Sequence, residues 1–191
     1  MDFNYLDIEV VSVLLSLVFV VAIVFKKIWA WPFGILGSIF STILFYQSYL
    51  YSESLLNLYY VAAGFYGWYF WNKNKVTSTN FTCIEISVYK HLNYVLISLF
   101  LSTLLGLYFH NYTQASLPFL DSFTTIFSFL ATYLQARKVL SSWFYWMILN
   151  FVSSGMYWYK DLNIYAVYSL FLFILSICGL ISWKKSALKV D

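Results

Sequence analysis

The chain has 191 residues, of which 62% are hydrophobic and only 10% charged, with a formal net charge of +3. Ordinary soluble proteins carry roughly 25% charged residues, so this composition excludes a water-soluble globular domain, which could not cover itself with so few charges. Apolar runs long enough to cross a bilayer recur from end to end, since about 20 helical residues at 1.5 Å rise span a hydrocarbon core of roughly 30 Å.

The first apolar run, Val11 to Phe25, follows Asp2, Asp7 and Glu9 rather than a basic stretch, and no small-residue cleavage site comes after it. It reads as a retained helix, not a signal peptide. Taken in order, spanning helices are expected at roughly 5–25, 30–50, 54–72, 91–109, 119–136, 142–160 and 163–183. The second carries a small-residue face of Gly34, Gly37, Ser38 and Ser41, the pattern of a close helix contact. The fold class is therefore all-α integral membrane, with seven transmembrane helices in one domain, residues 1–191.

The connections carry nearly all the charge. Lys26 and Lys27, then Lys73, Lys75 and Lys90, then Arg137 and Lys138, then Lys184, Lys185 and Lys189 all fall on one side of seven spans, ten of the 11 basic residues. Lys160, beside Asp161, stands alone opposite. The positive-inside rule then puts the N-terminus outside and the C-terminus in the cytoplasm. Cys83 and Cys178 lie far apart with no CxxC spacing, so they read as two ordinary thiols.

Sliding the chain over itself by 112 residues matches Lys26 to Lys138, Trp31 to Trp143, Leu50 to Leu162, Leu58 to Leu170, Gly67 to Gly179, Trp71 to Trp183 and Lys73 to Lys185. A first three-helix unit, 5–72, thus resembles a second, 119–183, in the same orientation, with the helix at 91–109 linking them. This is a 3+1+3 parallel repeat, and such repeats recur in transporters.

Aromatic residues make up 24% of the chain. Trp29, Trp31, Trp71, Trp143 and Trp183 sit near the expected helix ends, where interfacial anchoring is their first reading. Trp146, Tyr59, Tyr60, Tyr66, Tyr157 and Tyr168 lie deeper, where each taken singly reads first as helix packing and where a ring can also line a cavity and stack on a flat or cationic ligand. Asn150 follows Trp146 by four residues, so amide and indole share one face of the sixth helix. On the fifth, Thr124, Thr125, Ser128, Thr132 and Gln135 form a polar strip led by Asp121. The hydroxyls can serve a ligand or, more commonly, bond their own backbone or a neighbouring helix; Asp121, just after Pro118, can be an N-cap or first-turn acid or a site residue.

No Lys, Arg, His, Asp or Glu falls in the middle of any expected span, so the ionisable relay of a proton-coupled pump is missing. No P-loop, HExxH or nucleophile elbow occurs, which leaves ATP hydrolysis and other catalysis without residues to stand on. The reading is a transporter and not an enzyme, with no metal, cofactor or nucleic-acid partner. An integral-membrane enzyme and a cargo-free assembly subunit are the readings from other classes.

The stretches WPFGILGS (Trp31 to Ser38), FYGWYFW (Phe65 to Trp71), LDSFTTIFSFLATYLQARK (Leu120 to Lys138) and WFYWMILN (Trp143 to Asn150), followed by YWYKDLNIYAVY (Tyr157 to Tyr168), resemble the PnuC family of vitamin transporters over residues 28–185. The resemblance implies a 3+1+3 fold related to the SWEET sugar transporters, a homotrimer in the cell inner membrane, and facilitated diffusion of nicotinamide riboside trapped by a cytoplasmic kinase. Relatives take thiamine or riboflavin, which stand as the alternative cargoes. Carried over residue by residue, substrate contacts fall on Trp146 and Asn150, then Thr124, Thr125, Ser128, Tyr168 and Tyr59. Across Lys160, Asp161, Leu162 and Asn163 the family pattern is Lys, Gly, Leu, Tyr, so the chain departs from it at Asp161 and Asn163.

Overall fold

The computed structural model describes residues 5–47, 51–77, 81–113, 116–160 and 163–189. Seven helices follow one another: α1 (Tyr5–Val24), α2 (Ala30–Gln47), α3 (Tyr51–Thr77), α4 (Val88–Tyr112), α5 (Pro118–Ala136), α6 (Ser142–Tyr159) and α7 (Asn163–Lys184). Of the residues singled out above, Asp2, Leu50, Asp161 and Leu162 lie outside the described ones. The two prolines, Pro32 and Pro118, both sit in the first turn of a helix, where a missing N–H costs nothing.

Two helices run longer than expected. α3 continues from the expected end at 72 through Asn72–Thr77, because that stretch contains no Gly or Pro to stop it and Lys and Asn continue a helix at little cost. α4 starts at Val88 and ends at Tyr112, past 91–109 at both ends. The connection before it holds a further departure from an all-helical chain: β1 (Cys83–Glu85) pairs in parallel with β2 (Ala187–Lys189), matching Ile84 to Leu188. Ile84 also accepts from the Leu140 amide at 2.9 Å and donates to the Lys138 carbonyl at 3.0 Å. The α3–α4 connection, the α5–α6 turn and the C-terminal tail are thereby tied together by backbone bonds.

The chain divides into two compact units, Met1–Phe81 and Thr82–Asp191. In the first, α2 packs on both α1 and α3; in the second, α4, α5, α6 and α7 pack in sequence order. The outward faces are apolar. On α4, Leu96, Ile97, Phe100 and Leu104 are exposed, Phe100 by 65%. Val88–Tyr112 and Tyr165–Lys184 are long and apolar enough to cross a membrane. α3 and α6 are rich in Trp and Tyr, whose polar tips lower a hydropathy average although their bodies suit the bilayer boundary. An exposed surface of this composition calls for lipid and not water.

The same corner is built in each unit. Two residues past α1 stands Lys26 at φ 61°, and two past α5 stands Lys138 at φ 59°. Around Lys26, the amide of Lys27 bonds Ala22 and that of Lys26 bonds Ile23; around Lys138, Val139 bonds Leu134 and Lys138 bonds Gln135. Each is a Schellman cap with lysine, not glycine, in the left-handed position. Downstream, Trp31 stands edge-on to Trp71 at 5.5 Å, and Trp143 to Trp183 at 5.4 Å. All four indoles are buried to within 2%. That corrects the interfacial anchor expected of them. Gly67 and Gly179 lie against the rings of Trp31 and Trp143 and leave room for them inside the helix packing, whereas Trp29 is half exposed as an anchor should be.

Candidate functional site

The polar strip on α5 is turned largely upon its own backbone. Thr124 Oγ1 donates to the carbonyls of Leu120 and Asp121, Thr125 Oγ1 to Asp121 at 2.8 Å, and Thr132 Oγ1 to Ser128 at 2.8 Å. A hydroxyl so engaged still offers its oxygen lone pairs, so these side chains can accept a ligand's hydrogen bond more readily than donate one. Asp121 does not cap its helix. Its carboxylate pairs with Lys160 Nζ at 3.1 Å, fastening the start of α5 to the end of α6. Lys138, at the other end of α5, is buried, and desolvation pushes its ammonium below the usual lysine range.

On α6 the two leading candidates have different surroundings. Trp146 packs beside the cluster of Phe127, Ala131 and Leu149, and its indole N–H is buried without an acceptor among the described residues. Leaving such a donor unpaired costs about 1–3 kcal/mol. One turn on, Asn150 Nδ2 donates to Ser176 Oγ at 3.2 Å, and Ser176 in turn donates to the Leu172 carbonyl at 2.8 Å. That chain uses one amide proton of Asn150 and leaves its side-chain carbonyl outside the bond. Ser128 is buried on α5, and Tyr168 is largely enclosed on α7. Tyr59 belongs to the first unit, edge-on to Tyr60 at 6.1 Å.

The positions 112 residues earlier than Trp146 and Asn150 are Gly34 and Ser38. A Cβ at Gly34 would lie 2.7 Å from the ring of Phe19, and one at Gly37 3.0 Å from Ser16 Oγ, so this face is closed by α1 as a helix contact. The second unit has Ala131 where the first has Phe19. The bulky ring has changed helices between the two units, from α1 to α6. A cavity of about 350 Å³ also occurs in the second unit, between the start of α4, the turn before α6 and the end of α7, and none of the candidate residues lines it.

A family profile described as nicotinamide mononucleotide transporter matches residues 7–185, nearly the full chain. The chain belongs to the PnuC family. Curated PnuC relatives from Escherichia coli (strain K12) and Shigella flexneri, both named nicotinamide riboside transporter PnuC, are each 23% identical over 205 residues, covering 94% of this chain and 86% of theirs. A solved structure titled "Crystal structure of the Vitamin B3 transporter PnuC" superposes with a TM-score of 0.74 at 22% identity, covering 93% of this chain and 80% of the other. At that identity the likeness speaks for the fold.

Within the PnuC fold two polar contacts lie beyond the sequence reading. Ser176 as partner of Asn150 has a signal, since an amide at membrane depth needs a neighbour and Ser176 is one of few polar residues on α7. His91 Nδ1 meets the Tyr145 hydroxyl at 3.1 Å, tying α4 to α6. Nothing in sequence spacing links two residues so far apart.

Proposed function

We propose that this chain is a membrane transporter that takes up nicotinamide riboside by facilitated diffusion, with Trp146 and Asn150 as the principal contacts and Thr124, Thr125, Ser128 and Tyr168 around them. The observation that carries this reading is the orphaned indole N–H of Trp146, one helical turn from the Asn150 amide. A planar ring carrying a carboxamide fits such a pair, the ring against the aromatic surface and the amide against donor and acceptor groups. The names of the curated PnuC relatives support the cargo class.

In this reading seven helices cross the cell inner membrane in a 3+1+3 arrangement, with α4 joining two like units and the N-terminus outside. The assembly is a homotrimer, and a cytoplasmic kinase traps the cargo by phosphorylation. The charge segregation supports the orientation, and the doubled Schellman cap and Trp pair support the repeat.

The deciding experiment is ligand-dependent thermal stabilisation of the purified protein by nicotinamide riboside, thiamine and riboflavin. Stabilisation by nicotinamide riboside alone is the expected result. Stabilisation by thiamine or riboflavin instead would reassign the cargo within the same transport class, and no shift with any of the three would overturn the reading of the site.

A further inference from the structure

The cavity of about 350 Å³ in the second unit joins groups that the transport reading does not use. Its wall holds one carboxylate, Glu85 at the end of β1, and one ammonium, Lys184 at the end of α7. The two do not pair with each other, although opposite charges sharing one cavity in a protein this poor in charge would close on each other if they could reach. The same wall carries Ser141, the residue before α6. Its hydroxyl makes no capping bond, is buried, and has no partner among the described residues. His91 lines the same space with Nδ1 committed to Tyr145, so Nε2 is the nitrogen left to bind. The first turn of α6 adds its partial positive charge.

The remaining wall is apolar. Leu180 and Phe144 contribute to it, and Phe144 is 50% exposed. Beside the cavity the chain presents Leu92 and Ile181 outward, so its mouth adjoins the apolar surface of α4 and α7. A free anion would find no use for that apolar rim, and a simple fatty chain would leave both charges and the serine unpaired.

We propose that this cavity binds the headgroup of a zwitterionic phospholipid, one carrying a primary ammonium. The phosphate accepts from Lys184, Ser141 and His91, the ammonium donates to Glu85, and the acyl chains run out past Phe144 along α4 and α7. A primary ammonium has three N–H donors for the carboxylate, while a choline headgroup has none. Ethanolamine lipid is therefore preferred over choline lipid. The site is independent of which cargo the protein carries.

The test uses the full chain, delipidated in detergent and returned to defined lipid, with bound lipid counted by native mass spectrometry and melting temperature followed alongside. The wild type is expected to retain dioleoyl phosphatidylethanolamine over the phosphatidylcholine of the same chains by roughly two- to fivefold, the scale of a partly exposed charge pair. Glu85→Gln should abolish that preference while leaving total lipid retention, Lys184→Gln should reduce retention of both lipids, and Lys185→Gln, beside the cavity but not lining it, should change neither. Equal retention of the two lipids by the wild type, or a preference that survives Glu85→Gln in a protein melting at the parent temperature, would overturn the proposal. So would equal stabilisation by glycerophosphoethanolamine, which carries the headgroup without acyl chains, since a soluble phosphoester would then be the occupant.

Discussion

A Cβ placed on Gly179 would lie 2.5 Å from the ring of Trp143, and one on Gly67 2.3 Å from the ring of Trp31. The two glycines therefore act as sockets for buried indoles. Gly67→Ala and Gly179→Ala should each destabilise by about 1–3 kcal/mol, the range for overpacking a filled core. Gly155, where an added Cβ would meet nothing within 4 Å, supplies the contrast. Gly155→Ala should hold or raise the melting temperature, since alanine is favoured over glycine in a helix interior by up to about 1 kcal/mol. Melting of the three variants in one detergent checks this, and equal behaviour would refute the socket.

The left-handed lysines give a second test. Lys138→Asn and Lys138→Val both remove the ammonium, so their difference isolates the backbone. Asn tolerates φ near +60°, whereas a β-branched residue there is strained, and the valine variant should melt lower by an amount corresponding to about 1–2 kcal/mol. Similar melting temperatures would mean that the Schellman turn at Lys138 is not held as described.

The helix order, the doubled sequence and the need of Asn150 for a polar partner are all legible in the sequence, because each rests on apolar run length, on residue identity at a fixed offset, or on the cost of an unpaired amide. Trp31, Trp71, Trp143 and Trp183 mislead because the end of a helix in sequence and the surface of the bundle are different places; only packing against Gly67 and Gly179 separates them. The short strands at Cys83–Glu85 and Ala187–Lys189 leave no sequence signal because three residues carry no periodicity, and their pairing joins segments about a hundred residues apart. Lys160 stands beside Asp161 in sequence, yet its ion-pair partner is Asp121, brought near by the packing of α5 on α6.

For the binding site, Trp146→Ala should weaken cargo binding by about 1–3 kcal/mol, the scale of a base stacked on an aromatic ring. Asn150→Leu should abolish uptake in a protein still folded in the membrane. Ser176→Ala separates packing from recognition, because it removes the partner of Asn150 without touching the amide itself. Binding titrations are expected to rank the three as Asn150→Leu worst, Trp146→Ala next and Ser176→Ala mildest. Parent-level binding by both Trp146→Ala and Asn150→Leu would return these residues to a packing role.

Orientation can be read by labelling. Cys83 is buried and bonds the Trp183 carbonyl, while Cys178 is exposed, so Cys178→Ser supplies the background. A single cysteine introduced at Lys75 or Lys185 should then react with a membrane-impermeant maleimide only after the cells are opened. Labelling of either in intact cells would reverse the assigned topology.

Energy coupling follows from where the ionisable groups are. Asp121 and Lys160 pair at helix ends, Lys184 closes α7, and no such side chain sits midway along a described helix. A proton relay at membrane depth needs an ionisable side chain, and on the described helices such groups lie only at the ends, so transport without proton coupling is the expected outcome. In vesicles without a kinase, a neutral cargo should stop when inside and outside concentrations match. A cation is limited instead by membrane potential, to roughly fiftyfold at 100 mV, since one charge crossing that potential gains about 2.3 kcal/mol and tenfold costs about 1.4. Vesicles clamped at zero potential with potassium and valinomycin separate the cases: accumulation of cargo above unity there, driven by an imposed pH or sodium gradient, would mean that a coupling ion crosses with it.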